Sequence, residues 1–315
     1  MKFCKTVFCL VVFFCFPQTK NYAAQTDTMK IKITSHKILD SIPSCSGVEF
    51  YNNAIYICGD NSPYLFKLSD KGNLTGKFRI KEGDFVDTFP KKIKPDYESI
   101  TLFSQENQNH FLIFGSGSLS PQRDYLLKVN ADSPENFESV SLSEFYKQIR
   151  SKISGELNLE GACIYKNYLY LLNRADNNII RIEILPLLKS VNENQITPPF
   201  ELIPVNLSVK SKIQPTFSGA ALIPGTSKMI FTATTEDTPN AYDDGINYGS
   251  YIGVLDLEDL TKEPVCIAVS ENNSINPWKV ESLSVIKSRK NKIDLVMVTD
   301  NDGKASELIF AELSF

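Results

Sequence analysis

The sequence predicts an all-β fold, a five-bladed β-propeller with four-stranded antiparallel blades. Three observations carry that reading. A signature of Glu or Ser, then Gly or Ser, then a short apolar run occurs five times, starting at Ser46, Glu98, Glu160, Ser218 and Glu281. The copies lie 52 to 63 residues apart, a period suited to one four-stranded blade per repeat. Each copy is followed by further short runs rich in β-branched and aromatic residues, with turn residues between them.

Taken in order, Met1 to Lys5 is a basic start, Thr6 to Phe16 a short apolar run, and Pro17 to Ala24 a polar, small-residue-ended stretch. That order reads as a secretory signal peptide over residues 1–24, because the apolar run is too short to span a bilayer. The mature chain is expected to be exported, periplasmic or extracellular, with residues 25–315 forming one propeller domain and no integral membrane segment.

The first repeat runs from Cys45-Ser46-Gly47-Val48, through Ala54 to Cys58 and Tyr64 to Leu68, to Gly76 to Ile80. Tyr51-Asn52-Asn53 marks the first turn. The second repeat runs from Tyr97-Glu98-Ser99 to Phe137–Ser141, and the third from Leu159-Glu160-Gly161 to Glu201–Leu207. The fourth runs from Phe217-Ser218-Gly219 to Val265–Val269. The fifth, from Val280-Glu281-Ser282, has no fourth strand before Phe315, while Met29 to Leu39 is strand-like with no blade of its own. Pairing these two closes the ring and removes open sheet edges. The alternating third runs, such as Tyr125 to Val129, imply one packed face and one wetter face. One short helix is expected around 142–153, started by the capping box Ser141-Leu142-Ser143-Glu144, with Phe145, Ile149 and Ile153 on one face.

A net charge of −4 and the absence of a basic run argue against nucleic acid as a partner. Cys45, Cys58, Cys163 and Cys266 lie beyond the signal segment; Cys58 and Cys163 read as buried apolar thiols, with a Cys45–Cys58 bridge the alternative that export permits. Only His36 and His110 are present, without G-x-S-x-G, H-E-x-x-H or a P-loop, so a Ser-His-Asp triad is poorly served.

Up-and-down blade connectivity brings the start of each first strand and each second-to-third loop to one mouth of the channel. Glu98, Glu160 and Glu281 should therefore meet there, with Ser46 and Ser218 completing the ring. Carboxylates so placed need protons, salt bridges or a cation. Two readings stand: Ca²⁺ or Mg²⁺ held by Glu98, Glu160 and Glu281, with no organic cofactor, or internal salt bridges to Arg123 and Arg174. The loops add Ser116, Ser118, Glu236, Asp300 and the acidic stretch Glu236 to Asp244. On the enzymatic reading Asp300 or Glu236 is a catalytic base, and Arg123, Arg174, Ser116 and Ser118 bind substrate. The substrate would be a small anionic ester, lactone or phosphoester, and the chain is expected to be a monomer. The alternative is a non-catalytic ligand- or protein-binding propeller of the cell envelope, with Tyr242, Tyr248 and Trp278 as contacts.

Gly115-Ser116-Gly117-Ser118 with Ser120-Pro121 and Arg123-Asp124, Asn158 to Ala162, and Glu236 to Asn240 with Asp243-Asp244-Gly245 resemble a group of bacterial propellers classed as a domain of unknown function. The resemblance spans nearly the whole mature chain and implies membership without implying an activity. Glu160-Gly161, and in part Glu98-Ser99 and Glu281-Ser282, are also similar to an inner-strand motif of phytase-like and gluconolactonase-like propeller hydrolases. That similarity implies a Glu on a divalent cation; the other ligands of those families have no counterpart here.

Overall fold

Five four-stranded antiparallel sheets stand around a central axis in this computed structural model. It describes residues 29–315 except 85, 194, 210, 238–244, 272–273, 276–277 and 301–304. The expected signal segment lies outside the described residues. Among those described, no helix is long and apolar enough to cross a membrane.

Blade 1 comprises Cys45–Tyr51, Ala54–Gly59, Tyr64–Ser69 and Leu74–Arg79, and blade 2 comprises Tyr97–Gln105, Gln108–Gly115, Tyr125–Asn130 and Phe137–Ser141. Blade 3 is Leu159–Tyr165, Tyr168–Asn173, Asn178–Glu183 and Phe200–Pro204. Blade 4 is Thr216–Leu222, Lys228–Asp237, Ile246–Asp256 and Val265–Ala268. Blade 5 takes Val280–Arg289, Lys292–Thr299 and Ala305–Ser314 from the end of the chain, and its outer strand, Lys30–Pro43, from the beginning. Lys30 pairs with Ser314 and Leu39 with Ser306, so the two ends close the ring as the sequence predicts. The turn at Asn52 and Asn53 has φ of 49° and 57°, the left-handed pair that a two-residue hairpin requires.

Each core lies between blades rather than within one. Along the second strand of blade 2, Phe111 and Ile113 pack toward blade 1 with Tyr56 and Leu65. Leu112 and Phe114 pack the other way, with Leu169 and Leu171 of blade 3. A strand buried on both faces needs a continuous apolar run, which is why these strands show no alternation. The third strands are also packed on both faces, since Leu126 and Leu127 enter opposite cores. The face that carries Leu126 is still the wetter one, as expected, since Lys128 and Asn130 on it are only partly buried.

The innermost strands touch in sequence around the axis, and glycine permits the approach. A Cβ on Gly219 would lie 2.7 Å from Ser282 Cα and 2.8 Å from the Glu281 carbonyl oxygen of the next blade. Helix α1 (Ser143–Arg150) sits between blades 2 and 3 in the chain and buries Phe145, Tyr146 and Ile149. The capping box does not form: Ser141 is still the last residue of a strand, and Leu142 stands at the cap without a side-chain hydrogen bond. A second helix, α2 (Ile184–Asn192), follows directly on the third strand of blade 3 and is absent from the expected elements. Its Ile184, Leu187 and Leu188 are buried, with Val191 packed against the same core. All four described cysteines are free thiols; Cys45 lies opposite Gly59, and Cys58 opposite Gly47.

Candidate active site at the channel mouth

The signature residues are bulges. In all five blades the pairing of the first two strands slips at the signature position, between Cys45 and Gly47, Tyr97 and Ser99, Leu159 and Gly161, Phe217 and Gly219, and Val280 and Ser282. The extra residue is Ser46, Glu98, Glu160, Ser218 or Glu281. A bulge turns its side chain out of the ladder, and here it does so at the same end of every innermost strand. The two serines are spent on backbone: Ser218 Oγ donates to the Val280 carbonyl at 2.7 Å, and Ser46 Oγ accepts from the Asp60 amide at 3.2 Å. The three glutamates form one electrostatic cluster, in which Glu98 is repelled by Glu160 and Glu160 by Glu281.

The blade 3 and blade 5 glutamates face cationic side chains. Arg174 reaches Glu160 at 3.4 Å and Glu236 at 2.5 Å. Lys279 lies 3.7 Å from Glu236 and 3.4 Å from Glu281. Glu236 thus bridges two cations, and its other oxygen accepts the Gly245 amide at 3.0 Å. Burial would raise the Glu236 carboxyl, but Lys279, the Gly245 amide and Arg174 outweigh it and hold the group below the usual range. Burial raises Glu281, against the pull of Lys279 and Arg174, and its Oε2 is buried without a hydrogen-bond partner among the described residues. Glu160 is only 5 % exposed and accepts from Asn158 Nδ2 at 2.7 Å. Burial, opposed by Arg174 and reinforced by Glu281, pushes its carboxyl up to about 8.

On the blade 2 side, Lys94 pairs with Asp60 and, at 2.9 Å, with Asp96. One oxygen each of Asp60, Asp96 and Glu98 lies within 4.8 Å of the others. Asp96 has a left-handed backbone (φ 58°), which an Asp tolerates, and its side chain collects the surrounding donors. Arg123 Nη1 donates to it at 2.5 Å and Ser116 Oγ at 2.6 Å. Ser118 Oγ accepts from Arg123 at 2.5 Å and lies 2.8 Å from Ser116 Oγ. Glu98 is in no ion pair or hydrogen bond among the described residues. Burial, with Asp96, Glu160 and Asp60 close by, pushes its carboxyl well above the ordinary value.

Of the predicted residues, Glu98, Glu160, Glu281, Glu236, Arg174, Arg123, Ser116 and Ser118 all lie in this mouth. Asp300 lies beside it, its amide donating to the Lys279 carbonyl at 3.2 Å. Asp243, Asp244 and Tyr242 lie outside the described residues. Trp278, expected as an exposed contact, is only 6 % exposed, and its Nε1 donates to Glu307 at 3.2 Å. It is consumed by the blade 4–5 core. Tyr248 is 45 % exposed.

Sequence reasoning missed Lys94, Asp96, Asn158 and Lys279. Each lies two or four residues before a signature glutamate, in the connection entering the innermost strand. The reading of each repeat began at the strand and so stopped short of its own partners. Their spacing was a usable signal: Asp96, Asn158 and Lys279 all stand two residues before a bulge glutamate.

Six carboxyl groups therefore face four cations: Asp60, Asp96, Glu98, Glu160, Glu236 and Glu281 against Lys94, Arg123, Arg174 and Lys279. Burial pushes four of the six, Asp60, Glu98, Glu160 and Glu281, toward the protonated form. Such an arrangement can hold an anion and donate a proton to it.

No curated protein matches the chain. Among solved structures it is similar to the glutaminyl cyclase of Myxococcus xanthus (11% identity over 90% of this chain and 96% of that one, TM-score 0.46). It is also similar to the PQQ-bound aldose sugar dehydrogenase of Streptomyces coelicolor (11% identity, 91% and 99% covered, TM-score 0.41). A third is a DUF4221 protein of Bacteroides vulgatus (11% identity, 90% and 81% covered, TM-score 0.40). At these scores neither their ligands nor their reactions transfer to this chain. The family of unknown function DUF6929, by contrast, matches residues 41–313, and the chain belongs to it.

Proposed function

We propose that the channel mouth hydrolyses a small anionic ester, lactone or phosphoester by general acid–base catalysis. The observation that carries this reading is Glu160, a buried carboxyl held up to about 8 beside the guanidinium of Arg174, 3.4 Å away. At neutral pH such a group keeps its proton while the adjacent cation attracts an anion, which places an acid where a leaving-group oxygen needs one. With Glu160 neutral, Arg174 is held by Glu236 and retains donors for the anionic part of a substrate. Lys279 adds a second positive charge from blade 5. Asp300, at the end of the second strand of blade 5, is the base in this proposal. Glu236 positions the two cations, because both of its oxygens are already occupied.

Arg123, Ser116 and Ser118 hold Asp96 rather than substrate in this reading, since their polar groups converge on that carboxylate. The residues have hard oxygen donors for a divalent cation at Asp60, Asp96 and Glu98, but the ammonium of Lys94 already lies between the first two. The proposed chemistry therefore runs on side-chain protons.

A panel of nitrophenyl esters, lactones and phosphate esters tests the proposal. Turnover of one class is expected, with a loss of about a hundredfold or more in Glu160→Gln, the usual scale for a general acid. Turnover that survives unchanged in Glu160→Gln, or no turnover across the panel, overturns it.

A further inference from the structure

A second cavity lies at the other end of the blades. Its volume is about 470 Å³, within the range of small-molecule sites. It is bounded by the hairpin joining the first two strands of blade 2, by the outer strands of that blade, and by α2 of blade 3. Because the innermost strand of blade 2 starts at the channel mouth with Glu98 and runs to Gln105, the hairpin, and the cavity with it, lies at the opposite face of the disc.

The cavity has an apolar wall and a polar floor. Leu126 and Val140 come from the blade, and Leu185 and Leu188 from α2. His110 is 9 % exposed, and its Nδ1 is buried with no hydrogen-bond partner among the described residues. Burial, and then the charge of Lys128, hold its pKa below the ordinary histidine value, so the ring is neutral at pH 7. Lys128 is half-buried and stands directly across the ladder from Glu138, yet the two form no ion pair. Glu106, Glu138 and Lys189 are exposed at the rim, where water screens them.

We propose that this cavity binds an amphipathic carboxylate, with the carboxylate on Lys128 Nζ beside the His110 ring and the hydrocarbon against Val140, Leu185 and Leu188. The half-buried ammonium selects the negative head group. The neutral imidazole adds no like charge beside the head group, and the leucines of α2 take up a chain of medium length. The site is remote from the glutamates of the mouth and is independent of the function proposed for them.

Octanoate is the probe, with octylammonium as the charge-reversed control. The chain has two histidines, so the side-chain spectrum of untagged ¹⁵N-histidine-labelled protein holds two imidazole spin systems. Octanoate is expected to bind saturably by calorimetry and to shift the His110 signals while His36 stays still. Lys128→Met is expected to weaken binding about tenfold or more, as loss of a charge-assisted hydrogen bond would. Leu185→Asp, at a position 48 % exposed and so tolerant of change, should abolish it. Glu160→Gln should leave it intact. The proposal is overturned by no saturable heat, by equal binding of octylammonium, by an unaffected Lys128→Met, or by a loss in Glu160→Gln, which would place the probe in the mouth.

Discussion

Glu160→Gln should flatten the fall in stability of this propeller as pH rises. An ordinary glutamic acid in the unfolded chain gives up its proton near 4.5, whereas folded Glu160 keeps it up to about 8. Between those values the native state binds more protons than the unfolded state, so the contribution of Glu160 to stability falls as pH rises through the window. Below it both states are protonated and the difference vanishes; above it the full cost of a buried ionised carboxyl is present. At about 1.4 kcal/mol per pKa unit, the wild type loses roughly 4–5 kcal/mol across the window through this residue alone. Gln at 160 keeps an acceptor for Asn158 Nδ2 and carries no proton to lose. Denaturant unfolding of both proteins at pH 5, 6, 7, 8 and 9 measures the difference. It should grow in favour of the variant from pH 5 to pH 8 and level off above that. Curves that run parallel from pH 5 to pH 9 would show Glu160 ionised with Arg174 throughout, and the proton-donor role would fall with them.

Lys94→Met should destabilise the fold by about 3 kcal/mol, because it leaves Asp60 and Asp96 facing Glu98 without the ammonium. Calcium should then raise its melting temperature by several degrees while leaving the wild type unchanged, as calorimetry with and without chelator will show. Gly219→Ala should cost about 1–3 kcal/mol in denaturant unfolding, since its Cβ would enter the backbone of Ser282 and Glu281 in the next blade. Arg150→Met should cost about 3–5 kcal/mol by the same measurement, because Asp124 is fully buried and Arg150 is its ion-pair partner from α1.

The ring was legible because its signal is redundant. Five signatures, five second strands and an unmatched strand at each end all demand the same closure, and no single weak run decides it. The helix after residue 183 was not read, although Ile184, Leu187, Leu188 and Val191 have helical spacing. Its first residue extends the alternation of the strand before it, and Pro186 falls in the first turn, where a missing N–H costs nothing. The start of α1 failed for a related reason. Ser141 has the chemistry of a cap, but its pairing with Tyr125 keeps it in the sheet.

The mouth was half legible, and the missing half has one physical cause. A glutamate at a strand start stands out against apolar neighbours, whereas a Lys or Asp in a connection looks like any solvated loop residue. Only the bulge reveals the difference. By turning the signature side chain back toward the incoming connection, it sets that side chain beside the residue two positions earlier: Lys279 beside Glu281 at 3.4 Å, Asn158 beside Glu160 at 2.7 Å, Asp96 beside Glu98 within 4.8 Å. Three blades thus use one backbone device with three different partners: a cation, a neutral amide and a second acid. Burial raises all three carboxyls, and the partners differ in what they add: Lys279 lowers Glu281, and Asp96 raises Glu98 further. Blade 5 holds its acid against a lysine, and blade 2 crowds two acids together and must import Lys94 and Arg123 to balance them. Blade 3 gives its acid an amide donor from Asn158 and a guanidinium 3.4 Å away, and burial lifts the Glu160 carboxyl in spite of that cation, which supplies the proton that the proposed chemistry uses.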